Sequence, residues 1–192
     1  DQETKEKVQH VFEAFVKDMT VIHWTEDILL PSETSHVHNI DFDKRRISAV
    51  ADMQFGQGAS AALFTGKVTI IKSKRTGKIR NIICDGTHVL SMRAEDGLFT
   101  LKLEGGRRLH TSFKYPLLRV VVTDDAEPFI KDGKSVFAKF VAECDPGLRP
   151  FDECLIVNEH DILLAIGRTL LTRDEMFAFH QGMAVKTRES IP

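Results

Sequence analysis

The sequence has few cysteines and no long apolar run. Cys84, Cys144 and Cys154 are an odd number without a Cys-x-x-Cys pair, which argues against a disulfide framework and against a cysteine-type zinc site. The longest apolar run, Ile162–Ile166, is far shorter than the roughly 18 residues that a membrane-spanning helix needs. No signal peptide is recognisable at the start of the chain. We therefore expect a cytoplasmic protein with reduced cysteines and no membrane partner.

Catalytic signatures are absent as well. The 192 residues contain no His-Glu-x-x-His, Gly-x-Ser-x-Gly or Gly-x-x-x-x-Gly-Lys-Ser/Thr motif. Gly56-Gln57-Gly58 lacks the third glycine of a dinucleotide-binding fingerprint, so a turn before a helix explains it better. Asp124 and Asp125 fit a turn or a cap better than a pair of catalytic carboxylates. We predict no catalytic residues, no cofactor and no metal ion.

His36 and His38 leave one enzyme hypothesis open. An extended stretch would place both imidazoles on one face, with Asp41 and Asp43 nearby as further metal ligands. Such a site needs rigidly held ligands, and the local composition is typical of a loop. A solvated loop is therefore the favoured interpretation, and an enzyme that uses His36, His38 and Asp43 is the alternative.

What the chain does have is an uneven distribution of charge around a net value of −2. Residues 1–43 hold three Lys/Arg against ten Asp/Glu, residues 44–119 hold fifteen against five, and residues 120–192 hold eight against thirteen. The stretch 72–81, KSKRTGKIRN, contains five cations and no anion: Lys72, Lys74, Arg75, Lys78 and Arg80. Clustered cations bind phosphates and release counterions, so RNA is one interpretation of the cluster and a solvated basic face is the other.

Local patterns predict helices and strands in turn. Apolar spacings of three and four between Val8 and Met19 predict an amphipathic helix, and the polar stretch 32–39 predicts a loop. Short helices are expected before Gly66 and after Thr172, where a capping box begins. The expected strands are 47–51, 68–71, 79–84, 89–93, 98–103 and 109–113, and after Pro116 they are 118–122, 136–141, 154–157, 163–166 and 183–187. The turn at Thr76-Gly77 puts the basic cluster at a hairpin tip.

Five motifs follow one another after Pro116: VVV at 120–122, KDGKSVFAK at 131–139, LRPFDE at 148–153, LAIGR at 164–168 and GMAVK at 182–186. In their order and spacing they resemble a PUA domain, the small RNA-binding β-barrel of many tRNA- and rRNA-modifying enzymes. Phe151 departs from that family, which commonly has a turn glycine at this place. In PUA domains the glycine-containing loop and the strand after it approach RNA.

The resemblance to PUA domains implies RNA contacts for Lys131, Gly133, Lys134, Ser135, Lys139 and Arg168, in addition to the basic cluster. Gly133 could instead be explained as a turn glycine, and Arg168 could instead have a structural role. Gly167 is expected to serve packing.

The segment before the PUA-like part is similar to a second known domain. ADMQFG at 51–56, TGKIRN at 76–81 and RAEDGLFTL at 93–101 look like the domain that precedes the PUA domain in archaeal tRNA-guanine transglycosylases. Together the two similarities cover roughly residues 44–192. They imply an α+β protein with three parts: an N-terminal helix and acidic linker (1–43), a basic small α/β domain (44–115) and a PUA β-barrel (116–192).

In that family a TIM-barrel domain exchanges a guanine of the tRNA D loop, at position fifteen, in archaeosine biosynthesis. The barrel carries the catalytic aspartates and the zinc ligands, and the C-terminal domains hold the tRNA, with the PUA domain at the acceptor stem. The resemblance therefore implies a tRNA-binding, non-catalytic subunit or fragment of such an enzyme. Its partners would be tRNA, at the acceptor stem and D arm, and a catalytic subunit. The alternative is a PUA protein that acts in rRNA modification or ribosome assembly.

Overall fold

A computed structural model describes residues 35–191, with side chains from residue 42 onward. The helix expected between Val8 and Met19 lies outside these residues. The helices are α1 (Ser35–Phe55), α2 (Ala59–Leu63), α3 (Leu103–Ser112), α4 (Glu127–Lys131) and α5 (Arg173–Ala178), with 3₁₀ turns at Asp124–Ala126 and Ala138–Phe140. The strands are β1 (Val68–Lys72), β2 (Ile79–Cys84), β3 (Thr87–Met92), β4 (Phe99–Leu101), β5 (Arg119–Val122), β6 (Val136–Phe137), β7 (Val141–Cys144), β8 (Glu153–Asn158), β9 (Leu163–Thr169) and β10 (Met183–Ser190).

Helix α1 replaces two predicted features. Ile47, Ala51 and Phe55 are buried four residues apart, which is the spacing of one helix face, and Ala49 between them is exposed. The predicted strand over 47–51 is therefore wrong. The apolar residues Ile47, Ala49 and Ala51 alternate in the sequence as in a strand, but the buried positions follow the period of a helix. The predicted loop over 32–39 is wrong from Ser35 onward, where α1 begins.

Strands β1 to β4 form an antiparallel sheet in the order β1-β2-β3-β4. In such a meander the β1–β2 and β3–β4 turns lie at one end of the sheet, and the β2–β3 turn lies at the other. The predicted hairpin tip at Thr76-Gly77 is confirmed, and Gly77 adopts a φ of 66°, which favours glycine. The short helix predicted before Gly66 is confirmed as α2.

Helix α3 stands where a strand was expected. Gly105 and Gly106 look like a turn in the sequence, yet both are buried inside this helix. A Cβ on Gly105 would lie 2.5 Å from the carbonyl oxygen of Val89, and one on Gly106 would lie 2.4 Å from Cγ2 of Ile166. The glycines are needed for close packing on both neighbours, so the prediction of a strand over 109–113 is wrong.

The second sheet has the order β6-β10-β9-β8-β5-β7 and forms a near-closed, barrel-like structure. Strands β5 and β8 are parallel, and the other pairs are antiparallel. The capping box is confirmed: Thr172 accepts a hydrogen bond from the backbone N–H of Glu175, whose side chain accepts one from the N–H of Thr172. The strand expected over 136–141 is interrupted by the 3₁₀ turn at Ala138–Phe140. Mixed helices and strands confirm the predicted α+β class.

The two sheets belong to one compact unit that extends from Asn39 onward. The buried carboxylate of Glu153, in β8, accepts a hydrogen bond of 3.1 Å from the backbone N–H of Leu101, in β4. Glu189, in β10, accepts one of 2.9 Å from the N–H of Leu103, at the start of α3. These bonds join the first sheet and α3 to the second sheet. Across residues 35–191 no helix is long and apolar enough to cross a bilayer.

Candidate nucleic-acid interface

The basic cluster lies around the β1–β2 turn at one end of the first sheet. Lys74, Arg75 and Lys78 are exposed on this turn. The turn is closed by backbone bonds from Ser73 N–H to Lys78 C=O (2.8 Å) and from Gly77 N–H to Ser73 C=O (2.9 Å). Three of the five predicted cations therefore project from a hairpin tip with a fixed backbone.

Arg80 and Lys72 differ from the turn residues. The pairing of β1 with β2 passes from Ile71–Asn81 to Lys72–Ile79, so Arg80 has no residue opposite it on β1. Such a bulge re-aims a side chain, and Arg80 is exposed. The ammonium group of Lys72 instead forms a salt bridge with the buried carboxylate of Asp43 on α1. Lys72 thus has a structural partner, whereas Arg80 faces solvent.

A cleft of about 610 Å³ opens between the β1–β2 turn and the β3–β4 turn. Its lining includes five cations and one anion: Arg46, Arg75, Lys78, Arg80, Arg93 and Asp96. Arg46 and Arg93 were missed by the sequence analysis, and Lys72 and Lys74 are not in the lining. The structure therefore brings three predicted cations together with two that the local sequence pattern did not reveal.

Sequence patterns could have found the missed arginines: Ile47, Ala51 and Phe55 are apolar at intervals of four, and Thr76-Gly77 and Asp96-Gly97 both mark turns. Ile47, Ala51 and Phe55 are buried at intervals of four residues, as expected for one face of a helix. Arg46 therefore lies on a helix and not at the start of a strand. The second turn repeats the geometry of the first, with bonds from the N–H of Arg93 to Leu98 C=O (2.8 Å) and from that of Gly97 to Arg93 C=O (3.1 Å). Arg93 therefore occupies the same turn position as Ser73.

The second predicted group follows α4. Gly133 has a φ of 79° and its N–H bonds to Ile130 C=O, which explains the glycine as a turn residue. Lys134 is exposed next to it, Ser135 is half-buried, and the ammonium group of Lys131 lies 2.6 Å from the carboxylate of Glu127. The hydrogen bond from Lys131 is the largest of the causes that lower the pKa of Glu127, so this carboxylate remains ionised.

Lys139 and Arg168 each lie over an aromatic ring. The ammonium group of Lys139 is 4.5 Å from the ring centre of Phe140, and the guanidinium carbon of Arg168 is 4.8 Å from that of Phe151. Arg168 also donates from Nε to the carbonyl oxygen of Phe151 at 3.1 Å. Phe151, where the PUA family commonly has glycine, adopts a φ of 75° and is exposed. Arg168 therefore has a structural role in supporting a strained turn.

Gly167 serves packing, because a Cβ there would lie 2.7 Å from Cγ1 of Val185 and 2.8 Å from the carbonyl oxygen of Lys186. The extended stretch that the metal hypothesis requires is not present, since the backbone is helical from Ser35. The side chains of His36 and His38 lie outside the described part of the structure. Among the side chains that are described, no group of three His, Cys, Asp or Glu residues could hold a metal ion.

Comparison with protein families places two known domains in this chain. Residues 45–116 match the patch-forming domain C2 of tRNA-guanine transglycosylase, and residues 118–191 match the PUA domain. The cleft lies within the first match, and the segment 131–139 and Arg168 lie within the second.

The chain is also similar to longer proteins that are named tRNA-guanine(15) transglycosylase. The chain is 49% identical over 160 residues to the tRNA-guanine(15) transglycosylase of Methanobrevibacter smithii, which covers 83% of this chain and 24% of the relative. It is 51% identical over 145 residues to the transglycosylase of Pyrococcus furiosus, a match that covers 76% of this chain and 24% of that relative. The chain thus spans about a quarter of the length of the relatives that it matches.

A solved structure shares the fold. A hypothetical protein from Pyrococcus horikoshii superposes with a TM-score of 0.61 over 78% of this chain and 90% of its own, at 23% identity. This similarity shows that the fold of the two sheets and their helices also occurs in that protein.

Proposed function

This chain corresponds to the C2 and PUA portion of the archaeal tRNA-guanine transglycosylase family, and we propose that it binds tRNA as a non-catalytic subunit or fragment of such an enzyme. The observation that carries the proposal is the identity of 49–51% to transglycosylases, which extends over three quarters or more of this chain. The relatives are named for guanine 15 of tRNA, which would make a D-loop guanine the target. The protein would act in the cytoplasm, in archaeosine biosynthesis.

The proposed role is positional. Base exchange needs a nucleophile, groups that donate and accept protons, and a pocket for the extruded base. In this proposal a transglycosylase barrel supplies all three, and the present chain supplies surface for the tRNA. The PUA domain would hold the acceptor stem, and the basic end of the first sheet would hold the tRNA backbone near the D arm, so that the barrel reaches a base that is otherwise buried in the tRNA core.

Charge and exposure support this role. Lys74, Arg75, Lys78 and Arg80 are exposed at one end of a sheet, and lysine and arginine side chains bind phosphates without a precise constellation. Lys134 and Lys139 are exposed on the segment that follows α4. Lys72, Lys131 and Arg168 have partners within the protein, so we propose that they act chiefly by orienting their neighbours.

The test is a pull-down of the tagged chain from its native source, with bound RNA and bound protein identified together. The proposal predicts tRNA in the eluate together with a barrel-type transglycosylase. A variant with Arg75, Lys78 and Arg80 changed to Gln should lose the tRNA, and a variant with Lys67, Arg107 and Lys114 changed to Gln is the control of equal charge. Recovery of rRNA and ribosome-assembly proteins without tRNA would contradict the proposal.

A further inference from the structure

Arg93 stands at the base of the β3–β4 turn with two of its three guanidinium nitrogens already engaged. Nε donates to Oδ1 of Asp96 at 3.1 Å, and Nη2 lies 3.0 Å from Oδ2 of the same carboxylate. This two-point contact fixes the plane of the guanidinium group. The hydrogen bond from the backbone N–H of Leu98 lowers the pKa of Asp96, and the charge of Arg93 lowers it further. The carboxylate therefore remains charged, and its contact with Arg93 persists.

The third nitrogen of Arg93 has no partner. Among the buried polar side-chain atoms from residue 42 to residue 191, only Nη1 of Arg93 and Oγ1 of Thr123 make no hydrogen bond. A buried N–H without an acceptor costs about 1–3 kcal/mol, and more for a charged group. Glu153 is close enough to feel the charge of Arg93, but its two oxygens bond to Arg188 and to Leu101 N–H. Nη1 itself is enclosed by the protein, so a ligand in the cleft would reach Arg93 through the 14% of its side chain that is exposed.

The surroundings of Arg93 select for an anion. Arg93 lines the cleft between the two turns, and Arg46, Arg75, Lys78 and Arg80 line it as well. Asp96 is the single acidic residue of the lining, and both of its oxygens are bonded to Arg93 or Leu98. The volume of about 610 Å³ lies in the range of small-ligand pockets, which is larger than a bare oxyanion needs and leaves room for groups attached to it.

We infer that this cleft is a binding site for a single phosphodiester of RNA, with Arg93 at its inner wall and Arg46 at its rim. The inference rests on the proposed function and adds to it two residues outside the basic cluster. A phosphodiester fits because its two free oxygens accept bonds from several cations at once, and its two ester arms continue along the strand. Arg93 and Arg46 then fix where one phosphate lies, whereas Lys74, outside the lining, contributes general attraction.

The experiment compares tRNA binding by the wild type, Arg93→Gln, Arg46→Gln and the control Lys67→Gln, each over a range of salt concentrations. Lys67 is exposed before β1, at the end of the sheet opposite the cleft, so the control removes an equal charge elsewhere. Each cleft variant should weaken tRNA binding several-fold at low salt and flatten the slope of log K against log salt by about one. Lys67→Gln should leave the slope within experimental error. Because Arg93 also closes a turn, thermal unfolding of each variant is measured, and Arg46, exposed on α1, provides a test that is independent of that turn.

A second readout identifies the source of the phosphate. The Nε–H resonance of Arg93 is followed by NMR while tRNA, and in a separate sample inorganic phosphate, is added. The inference predicts a shift at stoichiometric tRNA and none at the same concentration of inorganic phosphate. It is overturned if the wild type binds tRNA but both cleft variants keep its slope, or if inorganic phosphate shifts the resonance and tRNA does not. Failure of the wild type to bind tRNA would instead refute the proposed function.

Discussion

Gly106 of α3 packs directly against Ile166 of β9, so closely that a Cβ on the glycine would lie 2.4 Å from Cγ2 of the isoleucine. The glycine belongs to the part that matches the C2 domain and the isoleucine to the part that matches the PUA domain. The two domains therefore share a packed junction within one compact unit. For a protein proposed to hold tRNA at two places, such a junction fixes the distance between the two binding surfaces.

Gly106→Ala should destabilise this junction. Ile166 is β-branched and fully buried, so it has little freedom to move away from the added methyl group. Overpacking costs about 1–3 kcal/mol, and the better helix propensity of alanine offsets about 1 kcal/mol, so we expect a net loss of up to about 2 kcal/mol. Urea unfolding followed by circular dichroism measures this loss. Arg107→Ala, at the exposed neighbouring position, is the control, and a Gly106→Ala variant as stable as the wild type would contradict the close packing.

The same glycine pair shows where sequence reasoning reached its limit. Two adjacent glycines are typical of a turn, and only the approach of Val89 and Ile166, distant in the chain, explains them inside a helix. The alternation of Ile47, Ala49 and Ala51 was ambiguous for a similar reason. The sequence fits both the two-residue period of a strand and the 3.6-residue period of a helix, and packing against distant residues decides between them. Features that depend on local chemistry were predictable, such as the capping box at Thr172 and the hairpin with its turn glycine.

The candidate site was predictable only in part. Lys74, Arg75, Lys78 and Arg80 are close together in the sequence, so their grouping was visible without a structure. Arg46 and Arg93 join them through the fold of α1 and the second hairpin. Arg46 ends a run of three cations (44–46) and Arg93 stands alone, and both are distant from the basic cluster in the sequence. The pairing of Lys72 with Asp43 was equally hidden, because a salt bridge between distant residues leaves no mark on local composition.

Glu153 should make the stability of the junction depend on pH. Burial raises the pKa of this carboxyl, while Arg188 and the Leu101 N–H act in the opposite direction more weakly. The folded state therefore binds more protons than the unfolded state, whose glutamate titrates near pH 4.3. Glu153 therefore contributes fully to stability below about pH 4. This contribution is lost as the pH rises through the raised pKa of Glu153 in the folded state.

Glu153→Gln tests this sign, because glutamine stays neutral and keeps an oxygen for the Leu101 N–H. The free energy of unfolding of the variant, minus that of the wild type, should increase from pH 4 to pH 7. Urea titrations at several pH values measure the difference, and groups that titrate alike in both proteins cancel. Glu159→Gln, exposed in the β8–β9 turn, is the matched control. A difference that stays constant or falls with pH would show that burial does not dominate at Glu153.

Lys134→Ala with Lys139→Ala should chiefly weaken tRNA capture. Both side chains are exposed, and neither is expected to touch the reacting base. In base exchange with an added barrel subunit, the tRNA concentration for half-maximal rate should rise several-fold, while the rate at saturating tRNA changes less. Steady-state kinetics measure both quantities. The control pair is Lys67→Ala with Lys114→Ala, two exposed cations outside both proposed surfaces, and a double variant that lowered only the saturated rate would argue against a binding role.

The measurement that tests the account most directly is base exchange by the purified chain with and without a transglycosylase barrel subunit. Labelled base, tRNA and protein are incubated, and incorporation into tRNA is counted beside a tRNA-binding assay on the same samples. The account predicts that the chain alone binds tRNA and incorporates no base, and that adding the barrel subunit produces or stimulates incorporation. Incorporation by the chain alone, with contaminating enzyme excluded, would contradict it.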